Sequence, residues 1–130
     1  MPNESYPPLT RDLARMRRAL APSAAAAFHD FGAAVFAEGA LSTKTKHIIA
    51  VAVAHVTQCP YCIKGHTHAA LNDGATDQEL MEAIWVAAEM RAGAAFAHSI
   101  LAAAEMEAFA GGRAEEHQGA DLPQREHHAV

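Results

Sequence analysis

The chain lacks the features that mark several common protein classes. It has two cysteines in 130 residues, too few for the disulfide framework of a small secreted domain. Its net charge is −5 with histidine neutral, and its basic residues concentrate only at Arg15, Arg17 and Arg18. The longest strongly apolar run, residues 48–54, is far shorter than the roughly 20 residues that cross a bilayer. We therefore expect no nucleic-acid partner and no membrane span.

Aromatic residues are also scarce, at 6 %, although hydrophobic residues reach 51 % because alanine is abundant. Alanine side chains let helices approach closely, but each buries little area. Association with further copies of the chain would therefore bury additional apolar surface and stabilise the fold. The first nine residues hold three prolines and Glu4, which is not the pattern of a signal peptide. These features predict a cytoplasmic homo-oligomer.

Hydrophobic spacing and capping residues predict an all-α fold, a compact bundle of about six helices. Residues 1–9 are expected to form an extended leader, residues 10–110 one helical domain, and the polar residues 111–130 a disordered tail. The second helix is expected to end near Glu38, before Gly39. Gly93 is predicted to break or bend the long last helical segment. Helices are predicted to begin at capping residues or prolines, namely Thr10, Pro22, Ser42 or Thr43, Pro60 and Thr76.

The two cysteines form the motif Cys59-Pro60-Tyr61-Cys62, and His66 follows four residues after the second cysteine. Because proline suits the first position of a helix, Cys59 is predicted to be the N-cap and Cys62 to lie in the first turn. Unpaired N–H groups and the positive end of the helix dipole lower a thiol pKa there, and the thiolate is the reactive form. The motif therefore favours thiol–disulfide chemistry, with His66 on the same face as Cys62.

Two other interpretations of the cysteines stay open at this point. Free cysteines are often small core residues without a chemical role. Alternatively, His55, Cys59, Cys62 and His66 offer two nitrogens and two sulfurs, a ligand set suited to a structural zinc ion in a helical binding module. Their spacing is not that of a common zinc module, so the redox interpretation is favoured.

A longer stretch, from Leu41 to about Leu101, resembles the alkylhydroperoxidase D-like branch of the carboxymuconolactone decarboxylase family. Besides the cysteine motif and His66, the matching segments are residues 44–46, 48–54, 74–76, 79–80, 82–83 and 97–98. The resemblance implies an all-helical protein that assembles as a homotrimer or homohexamer, with its active site near subunit contacts. It also implies that no bound cofactor is needed, because the dithiol holds the two electrons.

The resemblance further implies residue roles. Cys62 would attack the peroxide and become a sulfenic acid, Cys59 would resolve it to a disulfide, and His66 would help to deprotonate Cys62. Reasoning from the residues alone leaves the order open, because the N-cap thiol of a Cys-x-x-Cys helix is often the more reactive one. Which cysteine attacks first is therefore not decided by the sequence.

The sequence departs from the family pattern at one position. The family commonly has a relay glutamate twelve residues before the first cysteine, where this chain has His47. Histidine can still accept and pass a proton near neutral pH, and His55 could extend a relay along the same helix. Histidine cannot, however, supply the negative charge that raises the basicity of His66. Glu82 and Glu89 are the candidates for a replacement carboxylate.

The sequence thus predicts a thiol-dependent peroxidase or disulfide oxidoreductase that reduces hydroperoxides through Cys59 and Cys62. A dithiol protein, lipoyl-bearing or thioredoxin-like, is expected to restore the reduced form. A zinc-stabilised binding module and a redox-sensing interaction protein without turnover are the alternatives. A γ-carboxymuconolactone decarboxylase is disfavoured because that branch of the family works without a redox cysteine pair.

Overall fold

The computed structural model describes residues 6–119, and every regular element in that range is an α-helix. The helices are α1 (Arg11–Leu20), α2 (Pro22–Phe36), α3 (Thr43–Thr57), α4 (Pro60–Asn72) and α5 (Asp77–Gly119). The contacts divide the chain into two compact units, one ending at Glu89 and the other beginning at Met90. The cysteine motif and all five candidate site residues belong to the first unit, which is described below.

The predicted capping residues begin three of the helices. The Thr10 side chain accepts the Leu13 N–H, and the Ser42 side chain accepts the Thr45 N–H. Thr76 and Glu79 form a reciprocal capping box, in which each side chain accepts the other residue's backbone N–H at 3.1 and 2.9 Å. These bonds satisfy backbone donors that the first helical turn leaves unpaired.

Helix α2 ends at Phe36, two residues before the predicted end near Glu38. The contacts of the following residues explain why α2 ends at Phe36. The Glu38 side chain accepts the Thr43 N–H at 3.1 Å, and the Thr43 hydroxyl donates to the Phe36 carbonyl at 2.8 Å. The polar groups of this connection therefore join the end of α2 to the start of α3 instead of continuing the helix.

Helices α3 and α4 form a hairpin through a two-residue connection, Gln58 and Cys59. Gln58 ends α3 in the left-handed conformation (φ 56°, ψ 47°), and its N–H bonds to the Ala54 carbonyl. Pro60 then occupies the start of α4. The two helices pack on each other, and the core is small: Val51, Ala70, Ala75 and Leu80 are buried, with Ile48 and Ile84 packed against them.

The prediction of an all-α fold is confirmed, but residues 6–119 form five helices where about six were expected. Gly93 lies inside α5 and does not end it. A single helical glycine costs only about 1 kcal/mol relative to alanine, and its neighbours include strong helix formers such as Ala92, Ala94 and Ala95. Helix α5 also includes residues 111–119, where a disordered tail was predicted, whereas residues 120–130 lie outside the described range. The domain limits drawn from the sequence stay a prediction.

Candidate functional site

Cys59 and Cys62 are joined by a disulfide at the start of α4. Cys59 is the N-cap, as predicted, and its Sγ accepts the Cys62 backbone N–H at 3.2 Å. The Cα atoms of the two cysteines lie 5.3 Å apart, because one helical turn brings residues three apart onto the same side. The start of the helix therefore brings the two sulfur atoms within bonding reach of each other, with an N–H directed at Cys59 Sγ.

The structure brings His66 and His47 together, from α4 and α3. Their Nδ1 atoms lie 3.1 Å apart, a hydrogen-bond distance in which one ring must donate and the other accept. Within residues 6–119, the His66 ring hydrogen-bonds to the His47 ring. His66 follows Cys62 by four residues on α4, so the helical spacing places both side chains on the same face. Two of the three histidines that the sequence singled out for proton transfer therefore form a pair.

Phe36, at the end of α2, covers this histidine pair. Its ring stacks on His47 with centroids 4.6 Å apart and on His66 with centroids 5.0 Å apart. Such aromatic contacts contribute about 0.5–1.5 kcal/mol beyond the area they bury. Sequence reasoning assigned Phe36 no part in the site.

Asp73, the residue that follows α4, lies on the other side of His47. Its Oδ2 is 3.8 Å from His47 Nε2, and the two side chains are 39 % and 15 % exposed. A carboxylate near Nε2 favours the tautomer of neutral His47 that has its proton there, and this tautomer leaves Nδ1 as an acceptor. His66 must then donate through its own Nδ1–H, so its Nε2 presents a free lone pair. The arrangement leaves His66 ready to accept a proton.

The electrostatics of the pair favour the neutral form of His66. Burial lowers the pKa of the His66 imidazole below its usual value of 6.5, and the charge of a protonated His47 lowers it further. An imidazole that is neutral near pH 7 can act as a general base, whereas a protonated one cannot.

Other polar residues near the motif have different partners from those considered in the sequence analysis. His55 Nδ1 lies 2.7 Å from the Val51 carbonyl, which can only accept, so this nitrogen donates along its own helix. The Tyr61 hydroxyl donates to the Pro7 carbonyl at 2.7 Å and thereby ties the segment before α1 to the start of α4. Glu82 and Glu89 are exposed, and the carboxylate found beside the histidine pair is that of Asp73.

Among the described residues, no group of three or more histidine, cysteine, aspartate or glutamate side chains is placed to hold a metal ion. No helix in the same range is long and apolar enough to span a bilayer.

An open cleft of about 730 Å³ between α1 and α2 reaches His66. Phe28 and Phe36 form much of its apolar wall, and His66 lies on its lining. The volume falls within the range typical of small-molecule sites. A ligand in this cleft would have direct access to the imidazole of His66.

The fold and the motif together define a helical protein with a Cys-x-x-Cys disulfide and an adjacent histidine pair. Residues 22–105 match the model of the carboxymuconolactone decarboxylase family. The chain belongs to this family, which confirms the family resemblance drawn from the sequence.

The chain is similar to several known proteins, one of which is described as a member of this family. A protein from Paracoccus denitrificans, named uncharacterized protein 4 in cox locus, is 59 % identical over 85 residues, which are 65 % of this chain and 77 % of that protein. A family member from Legionella pneumophila, crystallised in its apo form, matches with a TM-score of 0.56 and 37 % identity over 61 % of this chain and 70 % of its own. A protein from Methanobacterium thermoautotrophicum has a TM-score of 0.58 and 39 % identity, covering 61 % and 89 % of the two chains.

Proposed function

We propose that the protein is a thiol-dependent oxidoreductase of the alkylhydroperoxidase D-like type that reduces hydroperoxides through Cys59 and Cys62. The observation that supports this most directly is the disulfide at the N-terminus of α4, with the Cys62 N–H directed at Cys59 Sγ. A structural disulfide gains most by closing a long loop, and this one closes only one helical turn. Reversible redox chemistry accounts for its position better than stabilisation does.

The reaction proceeds in three steps, which are peroxide reduction, disulfide formation and reduction of the disulfide by an external dithiol. The Cys62 thiolate attacks the terminal peroxide oxygen, the O–O bond breaks, and the leaving alkoxide takes up a proton to give an alcohol. Cys62 is then a sulfenic acid, and the Cys59 thiolate displaces its oxygen as water while the disulfide forms. A dithiol of a lipoyl-bearing or thioredoxin-like protein returns both sulfur atoms to thiols and becomes a disulfide itself.

The histidine pair supplies the proton transfers. His66 Nε2 takes the proton of the Cys62 thiol, and the Nδ1 proton of His66 can move to His47. The positive charge then lies on His47, beside the Asp73 carboxylate. When the alkoxide departs, His66 donates its Nε2 proton to it and His47 returns the Nδ1 proton to His66, so that both rings are neutral again. His47, which stands where the family commonly has glutamate, thus works together with the carboxylate of Asp73 at the end of α4.

The protein is further proposed to work as a homo-oligomer, a trimer or hexamer. Many large apolar side chains of the first unit are exposed in the single chain, including Leu20 at 79 % and Trp85 at 69 %. Extensive exposed apolar surface marks interaction sites in many proteins. Burial between subunits would compensate for the small core of the single chain.

The test is a thiol titration of the reduced protein before and after one equivalent of an organic hydroperoxide. We expect both thiols to disappear within minutes and to return on addition of a dithiol. In the Cys59→Ser variant the sulfenic acid should persist on Cys62 and be trapped by dimedone, whereas Cys62→Ser should stay reduced. A reversed outcome for the two variants would exchange the cysteine roles. Retention of both thiols in the wild-type protein would contradict the peroxidase proposal.

Turnover separates the enzyme from a redox sensor. With excess dithiol and hydroperoxide, an enzyme consumes many equivalents of peroxide per chain. A sensor forms one disulfide per chain and stops.

A further inference from the structure

The cleft between α1 and α2 has an unusual distribution of charge. Arg17 and Arg18, in the last turn of α1, line it together with His29 of α2. No aspartate or glutamate is among its lining residues in the described chain. The protein as a whole has a net charge of −5, so this basic lining is a local feature and does not reflect the overall composition.

The two arginines also lack an acidic partner in the described range. Nη1 of Arg15 lies 3.7 Å from Oδ1 of Asp12, which is one turn earlier on the same helix. Arg17 and Arg18 form no ion pair with a carboxylate of residues 6–116. Their guanidinium groups are therefore available to an anion, and arginine suits a carboxylate because it can donate two parallel hydrogen bonds.

The apolar part of the cleft adjoins this basic lining. Phe28 and Phe36 supply aromatic surface, and Ala25 and Ala33 leave room beside it. Phe36 is the ring that also stacks on His47 and His66. The cleft thus combines a cationic part, an apolar wall and the imidazole of His66.

We propose that this cleft binds an amphipathic carboxylate, with its acid group at Arg17 and Arg18 and its alkyl chain along Phe28 and Phe36. Resting on the proposed function, the reactive ligand of this class is a hydroperoxide of a fatty acid, whose peroxide group lies toward His66. The acid group would set the orientation, because only one end of such a ligand matches the arginines. The protein would then favour an acidic hydroperoxide over a neutral one of the same length.

Gly32 provides a way to block the cleft without disturbing the fold. It lines the cleft from within α2, and a Cβ atom added there would meet no atom within 4 Å. Replacing a helical glycine by leucine also improves helix propensity. Gly32→Leu should therefore fill part of the cleft while the helix stays intact. Gly111→Leu is the matched control, since Gly111 is also helical with open space around it and lies in the second unit.

The first experiment measures binding of decanoate by calorimetry, with decyltrimethylammonium as the probe of opposite charge. Because decanoate contains no peroxide, this measurement does not depend on the proposed function. We expect decanoate to bind and the cation to bind at least tenfold more weakly. The Arg17→Gln, Arg18→Gln double variant should weaken decanoate binding about fivefold, because an exposed ion pair contributes up to about 1 kcal/mol. Gly32→Leu should abolish binding, and Gly111→Leu should leave it unchanged.

The second experiment compares turnover of a fatty-acid hydroperoxide with that of its methyl ester. The wild-type protein should prefer the acid in kcat/KM, and the double arginine variant should lose this preference. If no peroxide is consumed but decanoate still binds as expected, the proposed function fails and the carboxylate site stands.

Three results would overturn the carboxylate site. Decanoate binding could persist in Gly32→Leu, or the two probes of opposite charge could bind equally. Alternatively, light scattering could show that Gly32→Leu changes the oligomeric state, which would identify the cleft as a contact between copies of the chain.

Discussion

Replacing Asp73 by asparagine tests whether this carboxylate sets the proton positions in the histidine pair. Two unit charges at the 3.8 Å separation of Asp73 Oδ2 and His47 Nε2 interact by about 1 kcal/mol in a water-like dielectric. At a dielectric of about 20 the energy would be roughly 4 kcal/mol. Because the Asp73 side chain is 39 % exposed, the value of about 1 kcal/mol is the appropriate one. Asp73→Asn should therefore slow oxidation of the dithiol by hydroperoxide about fivefold at pH 7.

The matched control is Asp30→Asn, which removes the same charge from an exposed position on α2 that does not adjoin the histidine pair. Rapid-mixing measurements of thiol oxidation give the rate. Nitrogen chemical shifts of the imidazoles report which nitrogen is protonated, a property that a merely structural role of Asp73 would leave unchanged. We expect Asp73→Asn to increase the fraction of His47 protonated at Nδ1, and Asp73→Glu to restore much of the wild-type pattern. Unchanged tautomers together with an unchanged rate would refute the reasoning.

Two further predictions concern the same part of the molecule. Because burial and a protonated His47 lower the pKa of His66, the oxidation rate should be constant near pH 7 and fall only as the pH decreases below about 6.5. His66→Gln should lose this acid limb and react about 100-fold more slowly at pH 7, as measured by rapid mixing over a pH series. Gly74 has a φ of +92° and open space around its Cα, so Gly74→Ala should cost about 1 kcal/mol of unfolding free energy in urea titration through backbone strain alone. A loss indistinguishable from zero would contradict that assignment.

The helices around the motif were predictable because their signals are local. Pro60 after Cys59 places the N-cap within one residue, and Thr76 with Glu79 forms a capping box whose two bonds depend only on residues three apart. The end of α2 was predicted less well, because the Glu38 side chain bonds to the start of the next helix. The prediction that Gly93 breaks or bends the last helical segment was not supported by a break in α5. The alanines around Gly93 favour the helix more strongly than one glycine disfavours it.

The histidine pair was only partly predictable, and the missing part was the carboxylate. Sequence reasoning looked for it on α5, at Glu82 and Glu89, although the hairpin contains the stronger indication. His66, Ala70 and Asp73 are spaced i, i+4, i+7, so they share one face of α4. Ala70 is fully buried, which identifies this face as the one turned toward α3.

The two-residue connection at Gln58 and Cys59 folds α4 back along α3, so the early part of α3 lies opposite the late part of α4. His47 therefore lies where His66 can contact one ring nitrogen and Asp73 can approach the other. In the relay that we propose, exchanging the family's glutamate for a histidine moves the negative charge one residue further from His66 and does not remove it. A carboxylate that contacts His66 directly would raise its basicity, whereas one acting through His47 leaves His66 neutral at pH 7. The chain should thus hold a weaker base that is available over a wider pH range.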